Sequence, residues 1–230
     1  MPSPNPNFAQ PNLTLTLYNL TTTKPTRNPS NETPKATKTK MSEKIRNQSN
    51  IFERHEKSSV ADTSKIIQKH ISLNWNIDFT NSIISGYADV KFDVKTDDCD
   101  FVDLDTRALA VSKVEIVGEK VDNSVSFEIS DANMIEESHK SSKLAIKFSE
   151  KLVKDSNLVL RIHYQTSPDA SGLQWLKKEA TKDKKEPYLF SQFQAIHARS
   201  CIPCQDVPEA KVTYDAVAQT ENSTQTWLMP

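Results

Sequence analysis

The chain has 230 residues, of which 36% are hydrophobic and only three are glycine. Because a phosphate-binding loop needs several closely spaced glycines, neither a dinucleotide-binding motif nor a P-loop is present. No run of 18 or more apolar residues exists, so no transmembrane helix and no membrane partner are expected. Residues 1–60 hold nine basic against four acidic side chains, whereas residues 61–230 hold 20 against 26. The acidic second part argues against a nucleic-acid partner.

The N-terminal quarter of the chain differs in composition from the rest. Seven of the twelve prolines fall within the first 34 residues, and this region is otherwise rich in Thr, Asn, Ser and Lys. Such a segment buries too little apolar surface to offset the entropy lost on ordering. We therefore predict a disordered, low-complexity tail over residues 1–62.

Alternation of apolar and polar residues begins near residue 66. Ile71–Phe79 and Ile84–Val94 follow a period of two, which predicts an antiparallel hairpin with one wet face. Seven further strands are predicted at Phe101–Asp105, Val111–Val117, Val125–Ile129, Lys143–Phe148, Leu158–Tyr164, Tyr188–Phe193 and Val212–Ala218. Without helical periods between them, these strands predict an all-β fold, a saddle-shaped antiparallel β-sandwich. Residues 131–140 form either a loop or one helical turn, and Asn, Asp and Ser must supply the turns.

Three cysteines bear on the cellular setting and on redox chemistry. Their odd number, without a visible secretory signal, predicts a reducing, cytoplasmic location. Cys201 and Cys204 form a C-I-P-C motif, which is compatible with a redox pair or with half a zinc site. A structural zinc would need a second ligand pair, and a thioredoxin-like role would need a βαβ context; the sequence has neither.

Residues 187–214 read P-Y-L-F-S-Q-F-Q-A-I-H-A-R-S-C-I-P-C-Q-D-V-P-E-A-K-V-T-Y. This segment resembles the end of the N-terminal domain in the leukotriene-A4 hydrolase family of zinc aminopeptidases. The segments S-G-L-Q-W-L at 171–176 and I-S-L-N-W-N-I-D-F at 71–79 are similar to that family as well. We therefore assign residues 63–218 to an N-terminal β-domain. Residues 219–230 are polar, lack strand alternation, and are interpreted as a non-family tail left by truncation or altered splicing.

The resemblance implies a three-domain enzyme that releases N-terminal residues from peptides or hydrolyses the epoxide of leukotriene A4. In the family, zinc is held by an H-E-x-x-H motif and a distant Glu in a catalytic domain. Here His55-Glu56 continues as Lys57-Ser58-Ser59 and lacks the second His four positions on. We therefore expect no metal ligand and no catalytic residue in this chain, which would pack against a catalytic domain and be inactive alone.

Three residues of the long motif carry the implied substrate contact. The resemblance places Phe193, Gln194 and Ala195 against a peptide substrate in the complete enzyme. A Gln amide can accept a hydrogen bond from the substrate ammonium without needing a counter-charge of its own. The alternative reading is that Gln194 satisfies buried backbone groups at a strand end.

The other polar residues of the motif are interpreted as structural. Arg199 and Asp206 are expected to form a charge-assisted pair that Lys211 could join. His197 is expected to be a packed, hydrogen-bonded histidine rather than a catalytic one. From a different functional class, a stand-alone β-sandwich binding or regulatory module is the alternative to an enzyme domain.

Overall fold

The computed structural model describes residues 58–118, 124–131, 141–221 and 223–228. Most of the predicted tail and most of segment 131–140 lie outside these residues. The described part contains β1 (Ile66–Asp78), β2 (Ile83–Val94), β3 (Cys99–Thr106), β4 (Ala110–Ile116), β5 (Val125–Asp131), β6 (Ser142–Leu152), β7 (Asn157–Gln165), β8 (Leu173–Leu176), β9 (Tyr188–Ser191), β10 (Thr213–Thr220) and β11 (Ser223–Leu228). Two short 3₁₀-helices lie at Lys178–Ala180 and Ala198–Ser200, and no helix there is long and apolar enough to span a bilayer.

The strands form three sheets. The largest has the order β11-β10-β1-β2-β7-β4, the second has the order β3-β6-β5, and β8 pairs with β9. Neighbouring strands are antiparallel except β1 and β10, which run parallel with Leu73 opposite Ala216. The all-β sandwich and all nine predicted strands are confirmed. The parallel pair arises because the long connection after β9 returns the chain to the open edge of β1 in the same direction.

One apolar cluster joins the two larger sheets. Alternate residues of β1 and β2 point inward, as the period-two pattern predicts, and meet Val102, Leu104 and Ile146 of the second sheet. Trp75 is 1% exposed, and its indole N–H donates to the Tyr164 hydroxyl at 2.8 Å. The tryptophan thus contributes its full apolar area to the core while its one polar atom keeps a partner.

The C-terminal segment differs from the expectation. The sequence predicts no strand after residue 218, but β10 continues to Thr220 and β11 pairs antiparallel with it. That prediction is wrong because an edge strand is held by backbone hydrogen bonds, which need no apolar alternation. The β11 strand also covers the side of β10 that would otherwise be an open sheet edge.

The start of the domain also differs from the sequence prediction. Residues 58–62, placed in the tail by the sequence, are part of the described structure and contact β3 through hydrogen bonds to Asp105. The boundary at residue 62 is therefore several residues too late. The sequence signal was weak because these contacts are polar and local composition does not reveal a distant partner.

Polar residues make the tight turns, as the scarcity of glycine predicts. In the β1–β2 turn, the Asp78 carboxylate accepts hydrogen bonds from the Asn81 backbone N–H at 2.9 Å and from its side-chain amide at 2.7 Å. Ser82 then adopts a left-handed φ of 56°. Asp and Asn favour such turns because their short side chains mimic backbone hydrogen bonding.

Gly86 is required by the close approach of β1. Its φ is +145°, and a Cβ atom there would lie 2.0 Å from the carbonyl oxygen of Asn74. Gly118 has a similar φ of +128° but no atom within 4 Å of the corresponding position. It therefore serves as a matched control that carries the backbone strain without the clash.

We expect Gly86→Ala to lower the free energy of unfolding by more than about 2 kcal/mol. The reason is that β1 and β2 must move apart to admit the added methyl group, in addition to the backbone strain at this φ. Gly118→Ala should cost about 1 kcal/mol from strain alone. Urea unfolding followed by circular dichroism measures both values. Equal losses in the two variants would contradict the packing of Gly86 against Asn74.

Candidate functional site

A cavity of about 550 Å³ lies beside the parallel strand pair. Ile71 and Leu73 of β1 and Tyr214 of β10 form its apolar floor. The segment that connects β9 to β10 supplies the remaining walls. Its position brings together two parts of the chain, β1 and the long motif, that are more than 100 residues apart in sequence.

All three predicted substrate-contact residues line this cavity. Phe193 is half-buried and packs against the core, whereas Gln194 and Ala195 are exposed. The peptide bond between Gln194 and Ala195 is cis. Among the described residues the Gln194 side chain has no hydrogen-bond partner, so its amide can both donate to and accept from a ligand. This geometry does not fit the alternative that Gln194 satisfies buried backbone.

The turn that carries these residues, Phe193–His197, is fixed at both ends. The His197 backbone N–H donates to the Phe193 carbonyl at 2.9 Å, and His197 Nδ1 lies 2.9 Å from Ser171 Oγ. A Cβ atom on Gly172 would lie 2.8 Å from the Phe193 ring, which shows how closely the ring approaches that backbone. His197 is thus packed and hydrogen-bonded, as its sequence context predicts.

A buried charge cluster lies directly behind the turn. Arg199 is 1% exposed, its Nε donates to Asp206 Oδ2 at 2.8 Å, and its Nη1 lies 3.5 Å from Asp105 Oδ1. We name Arg199, Asp105 and Asp206 the charge cluster. The predicted Arg199–Asp206 pair is confirmed, whereas Lys211 is exposed and forms no described ion pair with either residue.

Asp105 is the member of the cluster that the sequence did not reveal. It is fully buried on β3, and its backbone bridges to Cys204 with N···O distances of 2.8 and 3.3 Å. Its carboxylate also accepts the Asp206 backbone N–H at 3.0 Å. Period two places Asp105 on the face of β3 opposite the inward Val102 and Leu104, so the sequence pattern gives no signal of its burial.

Burial controls the ionisation of the cluster's outer carboxyl. Loss of hydration raises the pKa of Asp206 above its usual value, and this effect exceeds the opposing attraction of Arg199. Burial likewise raises the pKa of Tyr214 on the cavity floor. Both residues line the cavity, so its wall disfavours the ionised form of each.

Two glutamines join the cavity wall to β1. The Gln68 side chain accepts the Gln205 N–H at 2.9 Å and donates to the Gln205 carbonyl at 3.1 Å. The Gln205 side chain accepts the Gln68 N–H at 2.9 Å and donates to the Ile66 carbonyl at 3.0 Å. Both side chains are at most 2% exposed. Four buried hydrogen bonds thus hold the wall in register with the strand, since leaving any of these groups unpaired would be costly.

The C-I-P-C motif has neither the exposure nor the acidity of a redox pair. Cys99, Cys201 and Cys204 are free and buried. Burial raises the pKa of the Cys201 and Cys204 thiols well above the ordinary value. Because the thiolate is the reactive form, these two cysteines are structural.

The described residues also offer no place for a metal ion. They contain no group of three or more His, Cys, Asp or Glu side chains that could hold one. The nearest arrangements are two-residue pairs on strands, such as His163 with Glu115 at 3.0 Å. Two ligands fall short of the three that a catalytic zinc site takes from the protein.

Residues 67–228 match the Peptidase M1 N-terminal domain. The chain therefore belongs to the Peptidase M1 N-terminal domain family. This match extends to the end of β11, so the polar segment after residue 218 is included in it. The family is one of zinc metallopeptidases, and the donor groups of the described residues do not fit a zinc ion.

The chain is similar in sequence to two named enzymes. Leukotriene A-4 hydrolase of Xenopus laevis is 37% identical over 157 residues, which cover 68% of this chain and 24% of that protein. Leucine aminopeptidase 2 of Vanderwaltozyma polyspora is 36% identical over 147 residues, covering 64% and 21%. The chain thus spans about a quarter of the length of the relatives it matches.

Solved structures show a similarity to the same group of enzymes. Yeast LTA4 hydrolase in complex with bestatin superimposes with a TM-score of 0.61 and 30% identity, covering 74% of this chain and 25% of that chain. A two-domain M1 zinc metallopeptidase has the same fold at 15% identity, with a TM-score of 0.50. The domain described here therefore corresponds to about a quarter of the length of yeast LTA4 hydrolase.

We expect the three thiols of the folded chain to resist a thiol reagent on the time scale in which the urea-unfolded chain reacts completely. The reason is that reaction requires both access and ionisation, and burial removes both. Absorbance from released thionitrobenzoate follows the reaction. Rapid modification of Cys201 or Cys204 in the folded protein, located by mass spectrometry, would restore the redox interpretation.

Proposed function

We propose that this domain forms one wall of the substrate site of a zinc aminopeptidase, where Phe193, Gln194 and Ala195 contact the amino-terminal end of a peptide. The observation that carries the proposal is the Gln194 amide, which has no hydrogen-bond partner among the described residues and lies on a fixed turn at the cavity. Both the family and the names of the relatives, leukotriene A-4 hydrolase and leucine aminopeptidase 2, support this assignment.

The side chains at the cavity suit this task. The Gln194 amide oxygen can accept a hydrogen bond from a substrate ammonium, and it does so as a neutral group that needs no counter-charge. Phe193 and the apolar floor offer contact to the first side chain of the peptide. Because the turn is held in advance, little conformational freedom is lost when substrate binds.

The chemical step requires groups that the described residues lack. A zinc ion bound by another domain of such an enzyme would supply Lewis-acid chemistry for peptide hydrolysis. This domain would bind and orient the peptide, while a catalytic domain packed against it would hold the metal. An epoxide lipid is the second substrate class that the relatives' names suggest. We also propose a cytoplasmic location, which the three free, buried cysteines support.

A stand-alone binding module is the second candidate. The observation in its favour is that the cavity is formed entirely by residues of this chain. In that case the chain alone would bind short peptides with measurable affinity. Nuclear magnetic resonance titration of the full chain with tripeptides, followed at the amides of residues 193–195, distinguishes the two candidates.

The test of the enzyme assignment is a chimera in which residues 58–228 replace the matching domain of yeast LTA4 hydrolase. We expect Gln194→Ala to lower kcat/KM for an aminoacyl anilide about tenfold, which corresponds to about 1.4 kcal/mol of lost binding. Gln192→Ala is the matched control, because Gln192 is exposed on the same segment and does not line the cavity. It should change kcat/KM less than twofold.

Equal activity of the Gln194→Ala and Gln192→Ala chimeras would refute the substrate contact. The 230-residue chain supplied with zinc is a further control, and it should show no turnover. Turnover by that chain would mean that the metal and catalytic groups are present outside the described residues.

A further inference from the structure

A short segment upstream of the family match contacts the two innermost charges of the cluster. The Ser58 carbonyl oxygen accepts a hydrogen bond from Arg199 Nη1. Ser59 Oγ donates to Asp105 Oδ2, and the Val60 backbone N–H donates to Asp105 Oδ1 at 2.9 Å. We name these three residues the strap. The strap therefore reaches both the cation and one anion of the charge cluster.

The buried Asp105 carboxylate depends on the strap. Its other described partners are the Asp206 N–H at 3.0 Å, Ser141 Oγ at 3.4 Å and Arg199 Nη1 at 3.5 Å. Of the described partners, only the two in the strap and Asp206 lie within 3.0 Å. A fully buried carboxylate that loses such donors is strongly destabilised, so the residues around it must rearrange or admit water.

The rearrangement would reach the turn through the backbone of residues 197–200 and the hydrogen bonds that hold it. The Arg199 carbonyl accepts the Arg107 N–H at 2.8 Å, which fixes the 3₁₀-helix to the end of β3. One residue later, Ser200 Oγ donates to the His197 carbonyl at 2.7 Å. The His197 N–H in turn closes on the Phe193 carbonyl. Arg199 is thus two residues from the turn and is tied to it.

We propose that the strap is a positioning element for the Phe193–His197 turn. Asp206 holds the Arg199 guanidinium on one side, and the strap holds it on the other. These contacts fix the position of Arg199 and, through it, the conformation of the turn. The strap is also where residues 1–57 join the domain. The claim that the turn contacts substrate rests on the proposed function, whereas the claim that the strap positions the turn does not.

The test uses the full 230-residue chain with the double substitution Ser59→Ala and Val60→Pro, which removes both strap donors to Asp105. Amide hydrogen exchange, measured by nuclear magnetic resonance, is compared at two reporters, His197 and Arg107. We expect both reporter amides to exchange at least tenfold faster, while amides of the β2–β7 pair change less than twofold. Ser64→Ala is the control for a hydroxyl loss just outside the strap.

Unchanged exchange at His197 and Arg107 would overturn the proposal, and so would equal acceleration at every amide, which indicates general destabilisation. If the double variant does not fold, Ser59→Ala alone removes one donor and should accelerate both reporters about threefold. The exchange result does not involve substrate. Equal activity of the Gln194→Ala and Gln192→Ala chimeras would therefore refute the proposed function without bearing on the strap. Unchanged exchange would refute the role of the strap without bearing on the proposed function.

Discussion

Two buried opposite charges, Arg199 and Asp105, are the constraint on which the arrangement of this domain depends. Ions removed from water are costly unless close partners surround them, and breaking such a pair leaves one charge unpaired in the core. Here the partners come from β3, from the 3₁₀-helix at Ala198–Ser200, from Asp206 and from the segment before β1. Satisfying the two charges therefore brings three distant parts of the chain together: β3, residues 199–206 and the segment before β1.

The cavity is a consequence of that arrangement. From the charge cluster, the chain runs through Gln205, which is paired with Gln68, and on to the parallel strand β10. From Arg199 toward the N-terminus, the chain leads to the turn that carries Gln194. Both cavity walls are thus attached to the cluster, one through the glutamine pair and one through Arg199. A site that is fixed in this way can hold a substrate end without ordering a loop on binding.

Much of the fold could be predicted from the sequence, because period-two alternation records which strand face is buried. The nine predicted strands belong to this class. The polar turns were predicted instead from the scarcity of glycine, and the Arg199–Asp206 pair from the motif at residues 187–214. Short or edge strands such as β8 and β11 were missed, since backbone pairing alone leaves little trace in residue type. Asp105 and the strap were missed for another reason: their partners are distant in sequence, and only the folded chain brings them together.

The most direct test of this account is a double-mutant cycle with Asp105→Asn and Arg199→Gln in the full chain, followed by urea unfolding. If the two buried charges act as a unit, each single substitution should cost about 3–5 kcal/mol. The double substitution should then cost less than the sum by about 2 kcal/mol or more. Losses that add within about 0.5 kcal/mol would contradict the central place given to the charge cluster.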